Sequence, residues 1–459
     1  MSIKHNYGVL PLLLTTLVAC GGKAPKDAKK DSNAKPFAST YVALPSKPTI
    51  IENVTLLTGT GQKIENAKLF VKNGKIEEVG TALSAAAQKE AVGNDKIDGT
   101  GKWITPGIID MHSHLGVYAA PESWPTEDGN EASNPSTPDV WAEHSVWPQD
   151  PQFARALAGG VTTMLVLPGS ANLFGGRGVV LKNIYARSVQ QMKFPEAPYS
   201  LKMACGENPK RVYGEKGGAP STRMGNFAGY RKAWIEATNY KNKYKGDVAP
   251  EERDLSKDTL AEALRGNIKV QIHCYRADEM VQMIDMAKEF DYKISAFHHA
   301  VESYKIADVL AKENICSAMW ADWWGFKLEA YDAIQENIPM VNAAKACAVV
   351  HSDSPEGIQR LNQEAAKAMG RGNKMGYDIK PEDAVAWITM NPAKAIGVDK
   401  VTGSIEKGKN ADLVMWNQNP FSVYAKAEKV WIDGAKVFDR ADKKYQPTSD
   451  FELGNTYAK

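Results

Sequence analysis

Two hydrophobic periods alternate along this chain, and at both of its ends the period is two. Residues 50–57, 68–72 and 75–79 alternate apolar with polar side chains as half-buried strands do, and Asn73-Gly74 between the last two is a strong hairpin signal. A second set, 403–416 and 429–438, has the same character. Either set alone leaves an apolar face uncovered, which predicts that the two ends pack together as one small β-domain.

Between them, from residue 103 to about 397, short β-like runs alternate with longer helical stretches, the signature of parallel βα units. The runs are 103–110, 161–167, 178–182, 199–205, 269–273, 293–298, 315–319 and 346–351, with 178–182 the least regular. Eight such runs predict an α/β fold, a (β/α)8 TIM barrel whose chemistry sits just after each strand. His112 and His114 stand at the end of the first run. Residues two apart in an extended segment share a face, so both imidazoles can serve one divalent metal.

Composition narrows the reading. A chain of 459 residues, 43% of them hydrophobic, is long enough for one large barrel and a small accessory domain. A net charge of +2 leaves no broad basic field, which argues against nucleic acid as a partner. Four of the five cysteines, Cys205, Cys274, Cys316 and Cys347, lie in or beside β-like runs with no CxxC and no disulfide framework. They read as small buried hydrophobes, with a pairing among them the less favoured option.

The stretch TPGIIDMHSHL, residues 105–115, resembles the first barrel strand of the amidohydrolase superfamily, metal-dependent hydrolases that include imidazolonepropionase-like enzymes. The likeness runs from about residue 49 to 439, and the two terminal sets are similar to the composite β-sandwich that flanks the barrel in that superfamily. The resemblance implies metal ligands at His112, His114 and His273, and at His299 rather than His298, because the family's ligand directly precedes a small residue. It also implies Asp353, in VVHSDSP, as both ligand and proton shuttle between water and leaving nitrogen. Locally, Asp353 also reads as a helix cap ahead of Pro355. Binuclear members bridge two ions through a carbamylated lysine or a glutamate. Glu207, just beyond the fourth run and nearer the expected mouth, ranks slightly ahead of Lys202 within it. The implied cofactor is one or two divalent ions, zinc first by ligand type, with Mn, Fe and Co also compatible.

Substrate features are read around that centre. Residues 115–150 exceed an ordinary βα loop and carry Trp124, Trp141 and Trp147, as a lid or specificity wall would. The glycine-rich 171–178 with Arg177 suits a carboxylate or a tight turn, while Arg223 and Arg211 add positive charge. His351 is read as a substrate contact, and Trp320, Trp323 and Trp324 as pocket lining or packing. The expected reaction is hydrolysis of an amide or cyclic amide C–N bond, in a small peptide or N-acyl amino acid bearing a carboxylate. Deamination of a heterocycle on the same metal site, and a non-catalytic binding role, are the alternatives.

Near the start, Lys4 and His5 precede an apolar stretch, 9–18, too short to span a bilayer, and Leu17-Val18-Ala19-Cys20 resembles a bacterial lipobox. That implies a signal peptide at 1–19, lipidation of Cys20 and export to the cell envelope, with Gly21 favouring the outer membrane in a Gram-negative host. The remaining divisions are a polar tether at 20–47, β-sandwich parts at 48–102 and 403–445, the barrel at 103–402 and a tail at 446–459. The expected partners are a small-molecule substrate and a membrane reached through the lipid. Helices at 259–264 and 303–313 leave a homo-oligomer open.

Overall fold

The elements follow the hydrophobic pattern closely, with instructive exceptions. The computed structural model describes residues 37–91, 96–246 and 248–446, so the signal segment, Cys20 and nearly all of the expected tail lie outside the described residues. The first strands are β1 (Thr49–Leu57), β2 (Lys63–Lys72), β3 (Lys75–Gly80), β4 (Lys96–Asp98) and β5 (Trp103–Pro106). The Asn73-Gly74 turn joins β2 to β3 with φ of 52° and 78°, the two positive values that a two-residue hairpin loop of this kind needs. Then come β6 (Ile108–Ser113), β7 (Val161–Val166), β8 (Phe174–Lys182), β9 (Ser200–Ala204), β10 (Lys269–Cys274), β11 (Ile294–His299), β12 (Cys316–Met319) and β13 (Cys347–Val350). The last three are β14 (Leu413–Trp416), β15 (Ala427–Ile432) and β16 (Ala435–Asp439).

The two chain ends join edge to edge in one eight-stranded sheet, ordered β16-β15-β14-β5-β1-β2-β3 with β4 also on β1. Their shared apolar face buries Leu56, Leu69, Ile104, Leu413 and Met415 together. The expected first run, 103–110, is divided between two sheets at Gly107. Its N–H donates to Asp412 O at 2.8 Å, and a Cβ there would come within 2.1 Å of Thr162 Oγ1, so only glycine lets the chain pass from one sheet to the other.

Strands β6 to β13 form the second eight-stranded sheet in sequential order, and they fall on the eight expected runs. It curls nearly closed. No ladder joins β13 to β6, but Asp353 N donates to His112 O at 3.1 Å across that seam. One expectation is corrected here: β8 runs antiparallel to both β7 and β9, while every other neighbouring pair is parallel. Only residues 167–173 separate β7 from β8, too short a stretch for the crossover that a parallel strand requires. Helices Arg223–Lys243, Leu255–Leu264, Ala277–Phe290 and Leu361–Lys374 cover the sheet, burying Trp234, Leu260, Met283 and Leu361 against it. Each such side chain contributes about 1.5–3 kcal/mol by leaving water.

The cysteine reading is also corrected. Cys205 pairs with Cys274 and Cys316 with Cys347, with Cα separations of 5.1 and 4.4 Å. Cys316 and Cys347 are direct partners in the β12–β13 register, and Cys205 and Cys274 lie at the ends of neighbouring β9 and β10. Sequence separations of 31 and 69 reveal no such pairing; adjacency of strands creates it. Within the expected tether, Ser39 donates to Lys193 O at 2.6 Å and the Tyr41 hydroxyl to Asp433.

Candidate metal centre

At the C-terminal end of β6, alternation turns His112 and His114 toward the mouth of the barrel. Their ring tautomers follow from their outer contacts. Gln271 Nε2 donates to Ala395 O at 3.1 Å, so Gln271 Oε1 is the acceptor for His298 Nε2–H at 2.8 Å. His298 Nδ1 is then a lone pair, and His112 Nδ1–H donates to it at 2.8 Å. That leaves a bare Nε2 on His112 facing the centre. His114 Nδ1–H donates to Leu167 O at 2.8 Å and likewise leaves its Nε2 bare.

These two nitrogens lie 3.3 Å apart, with Asp353 Oδ1 at 3.4 Å from His112 Nε2 and 3.1 Å from His114 Nε2. Three potential ligand atoms, two ring nitrogens and a carboxylate oxygen, therefore converge on one point. Asp353 reaches this point through a backbone with φ of 50°, and His299 and Ala300 also have positive φ, 68° and 41°. Such strained conformations at strand ends accompany functional sites. His351 Nε2 lies 3.1 Å from His299 Nδ1 and accepts from the His299 N–H at 3.3 Å. His112, His299 and His351 form a second group whose ligand atoms lie within 4.8 Å of one another, as do those of His112, His114 and Asp353. His273 stands beside them, its ring 4.5 Å from that of His299, and although it is buried neither ring nitrogen is hydrogen-bonded among the described residues.

Burial, with the nearby Lys202 and neighbouring rings adding to it, holds His112, His298 and His299 well below the ordinary imidazole range. It does the same to His273, helped by Lys327 and Lys202, and brings His351 down to about 4. Burial alone pushes the Asp353 carboxyl up. The close approach of His114, with His351 and Lys202 beside it, outweighs burial, and the group lies below its ordinary value. The donor set, buried neutral imidazoles and an ionised carboxylate with orphaned nitrogens, suits a divalent cation of zinc's preferences.

The two bridging candidates part company. Lys202 on β9 is buried, with Nζ 3.4 Å from His112 Nε2, and burial lowers its amine to about 8. Glu207 opens the helix Glu207–Gly214 instead and faces Lys327 at 3.5 Å. The two cations expected at the substrate are engaged elsewhere. Arg177 is buried, donates to Thr259 at 2.8 Å and lies 4.4 Å over the Trp141 ring, while Arg223 pairs with Glu279 at 3.0 Å and with Glu329. Arg211 lines a cavity of about 250 Å³ that also touches His114 and Tyr118. Trp320 stacks on His299 at 4.5 Å and on Trp323 at 4.7 Å, forming one side of the mouth. Two residues escaped the sequence reading. Gln271 sets the tautomers, and buried Asp110, raised to about 7 by burial, accepts from His112 N at 3.1 Å and from the Ser352 hydroxyl across the barrel seam. Asp110 lay inside the quoted motif, two residues before His112, and that position was its only signal.

A nearly closed barrel with imidazoles and a carboxylate gathered at its strand ends defines the class of metal-centred barrel hydrolases. The chain belongs to the amidohydrolase family, hydrolases of carbon–nitrogen bonds, whose sequence profile matches residues 103–437. It is 33% identical over 437 residues to the amidohydrolase tasK of Hapsidospora irregularis, covering 86% of this chain and 43% of that protein, so it spans less than half of that relative's length. It is 24% identical over 380 residues to the imidazolonepropionase of Brucella anthropi, covering 77% of this chain and 87% of that one. The crystal structure of an amidohydrolase from Thermotoga maritima superposes with a TM-score of 0.75 at 36% identity, covering 85% of this chain and all of that one.

Proposed function

We propose that this protein is an exported, metal-dependent hydrolase that cleaves an amide or cyclic amide C–N bond. The observation that carries the reading is the meeting of His112 Nε2, His114 Nε2 and Asp353 Oδ1 within 3.4 Å. His112, His114, His273, His299 and Asp353 would hold the ion, with Lys202 a better bridge than Glu207 because it lies beside His112. A divalent ion held there supplies Lewis acidity, acidifying water and polarising the scissile carbonyl. Asp353, ionised, accepts the proton as the water oxygen bonds to the carbonyl carbon, and returns it to the nitrogen as the C–N bond breaks. The lowered Lys202 amine makes more available the neutral form, which adds carbon dioxide with loss of one proton. A substrate carboxylate finds its support in Arg211 rather than in Arg177 or Arg223.

Export with a lipid on Cys20 is part of the same proposal. Two disulfides fit a chain that folds in an oxidising compartment. Labelled palmitate should enter the wild-type protein and not Cys20→Ala. For the chemistry, protein purified without added metal should hold at least one divalent ion per chain. After dialysis and reconstitution it should hydrolyse members of a panel of dipeptides, N-acyl amino acids, imides and lactams. Metal-free protein with no turnover on that panel would overturn the reading.

A further inference from the structure

The imidazoles of the centre are not all held in the same way. The His112 ring is tied through His298 to Gln271, and the His114 ring to Leu167 O. His273 has no such tie, since neither of its ring nitrogens has a hydrogen-bond partner among the described residues. The place of its ring is therefore set by its backbone and by packing. That backbone lies at the end of β10, and strand ends are where local opening costs least.

One disulfide closes this end. In the β9–β10 register Lys202 faces Gln271 and Ala204 faces His273, so alternation turns Lys202, Gln271 and His273 to the barrel interior. Cys205 and Cys274, one residue further along each strand, point to the opposite, helix-covered face and pack among Met203, Ile272 and Met280. The last backbone bond between the two strands, Cys205 N to His273 O at 2.8 Å, sits directly against the crosslink. On its other side Cys274 O accepts from Ala300 N at 3.1 Å, which carries the restraint to the end of β11. There His299 and Ala300 have φ of 68° and 41°, a backbone that persists only where its surroundings over-determine it. The other disulfide has no such place. Cys316 and Cys347 are the first residues of β12 and β13, at the end of the sheet away from the histidines.

We propose that Cys205 and Cys274 are positioning residues for the metal centre. Their disulfide, outside the barrel, fixes the strand end from which His273 and, through Ala300, His299 reach the ion. The proposal deepens the hydrolase reading and rests on it for the presence of an ion.

The test compares two double variants of the full-length chain, Cys205→Ala with Cys274→Ala and Cys316→Ala with Cys347→Ala. Each loses one crosslink, so both should unfold at lower urea than the wild type. Metal affinity should separate them. In a chelator competition for zinc, the first should bind about tenfold more weakly than the wild type and the second within about twofold of it. Loaded with Co(II), the first should show altered visible absorption bands, which report coordination geometry, while the spectrum of the second superposes on that of the wild type. Equal affinities and spectra for the two variants overturn the proposal. Should the first variant fail to fold, amide exchange in metal-free wild type decides. Cys205 and Ala300 N–H groups as protected as those inside the strands support the lock, and exchange as fast as at a frayed end overturns it. Turnover on the amide panel is scored separately. A wild type that shows this contrast in zinc binding but cleaves nothing keeps the positioning role and removes the hydrolase reading. Hydrolysis by a wild type whose two variants hold zinc alike removes only the positioning role.

Discussion

Two buried polar clusters stand at opposite ends of the barrel sheet, and they are built in opposite ways. Lys182 pairs in register with Thr163, so it lies beside the start of β7, far from the strand ends that carry the histidines. There its ammonium meets both Asp433 oxygens at 2.7 Å and Asp412 at 3.7 Å, while the Thr402 hydroxyl donates to Asp412 at 2.7 Å and Tyr41 to Asp433. Each of these charges faces its counter-charge. At the other end, ligand atoms of His112, His114 and Asp353 face one another with only Lys202 Nζ close by, and among the described residues neither ring nitrogen of His273 has a hydrogen-bond partner. A polar cluster that satisfies itself fastens two parts of the fold, here the barrel and the composite sheet. One that does not is prepared for something other than protein.

The contrast can be broken from either side. The largest effect is expected at the unsatisfied end, where Asp353→Asn should lower kcat by about 10²–10⁴ while leaving the melting temperature nearly unchanged. Steady-state rates with a melting curve check it, and retention of full rate would contradict the shuttle role. At the satisfied end the pattern should reverse. Lys182→Met leaves Asp412 and Asp433 buried together and should destabilise by about 3–5 kcal/mol in urea unfolding, while the molecules still folded keep their turnover.

Acid should next separate the two ends. The folded protein keeps His112, His273, His298 and His299 neutral, whereas the unfolded chain binds protons on them below about pH 6.5. Stability of metal-free protein is therefore present above that pH and lost as pH falls below it, by up to about 1.4 kcal/mol per pH unit for each imidazole. Calorimetric melting between pH 7.5 and 5.5 reads this directly, and a flat profile would mean that these rings are charged when folded. The smallest effect is expected from Gln271→Ala, which frees His298 to take the wrong tautomer. It should weaken metal binding about 10–100-fold in a chelator competition and scarcely alter unfolding.

Much of this was legible along the chain. The eight barrel runs announced themselves because each is a short apolar stretch between polar helical ones. Asn73-Gly74 specified its hairpin because so few residue pairs accept two positive φ values. His112 and His114 stood out through their spacing, whereas His299 was separated from His298 only by the family resemblance. Other features carried no local signal. The preference for Glu207 rested on its place beyond the strand, and the helix that begins there turns it toward Lys327 while Lys202 stays beside His112.

What the sequence determined, then, were properties that nearby residues settle among themselves: period, turn chemistry and the kinds of ligand on offer. What only the tertiary structure decided were relations between distant segments: the direction of β8, the pairing of Cys205 with Cys274 and of Cys316 with Cys347, and the hold of Gln271 on His298 and so on His112. Backbone preferences act over a few residues, whereas strand register and the meeting of side chains across a barrel depend on how the whole sheet closes.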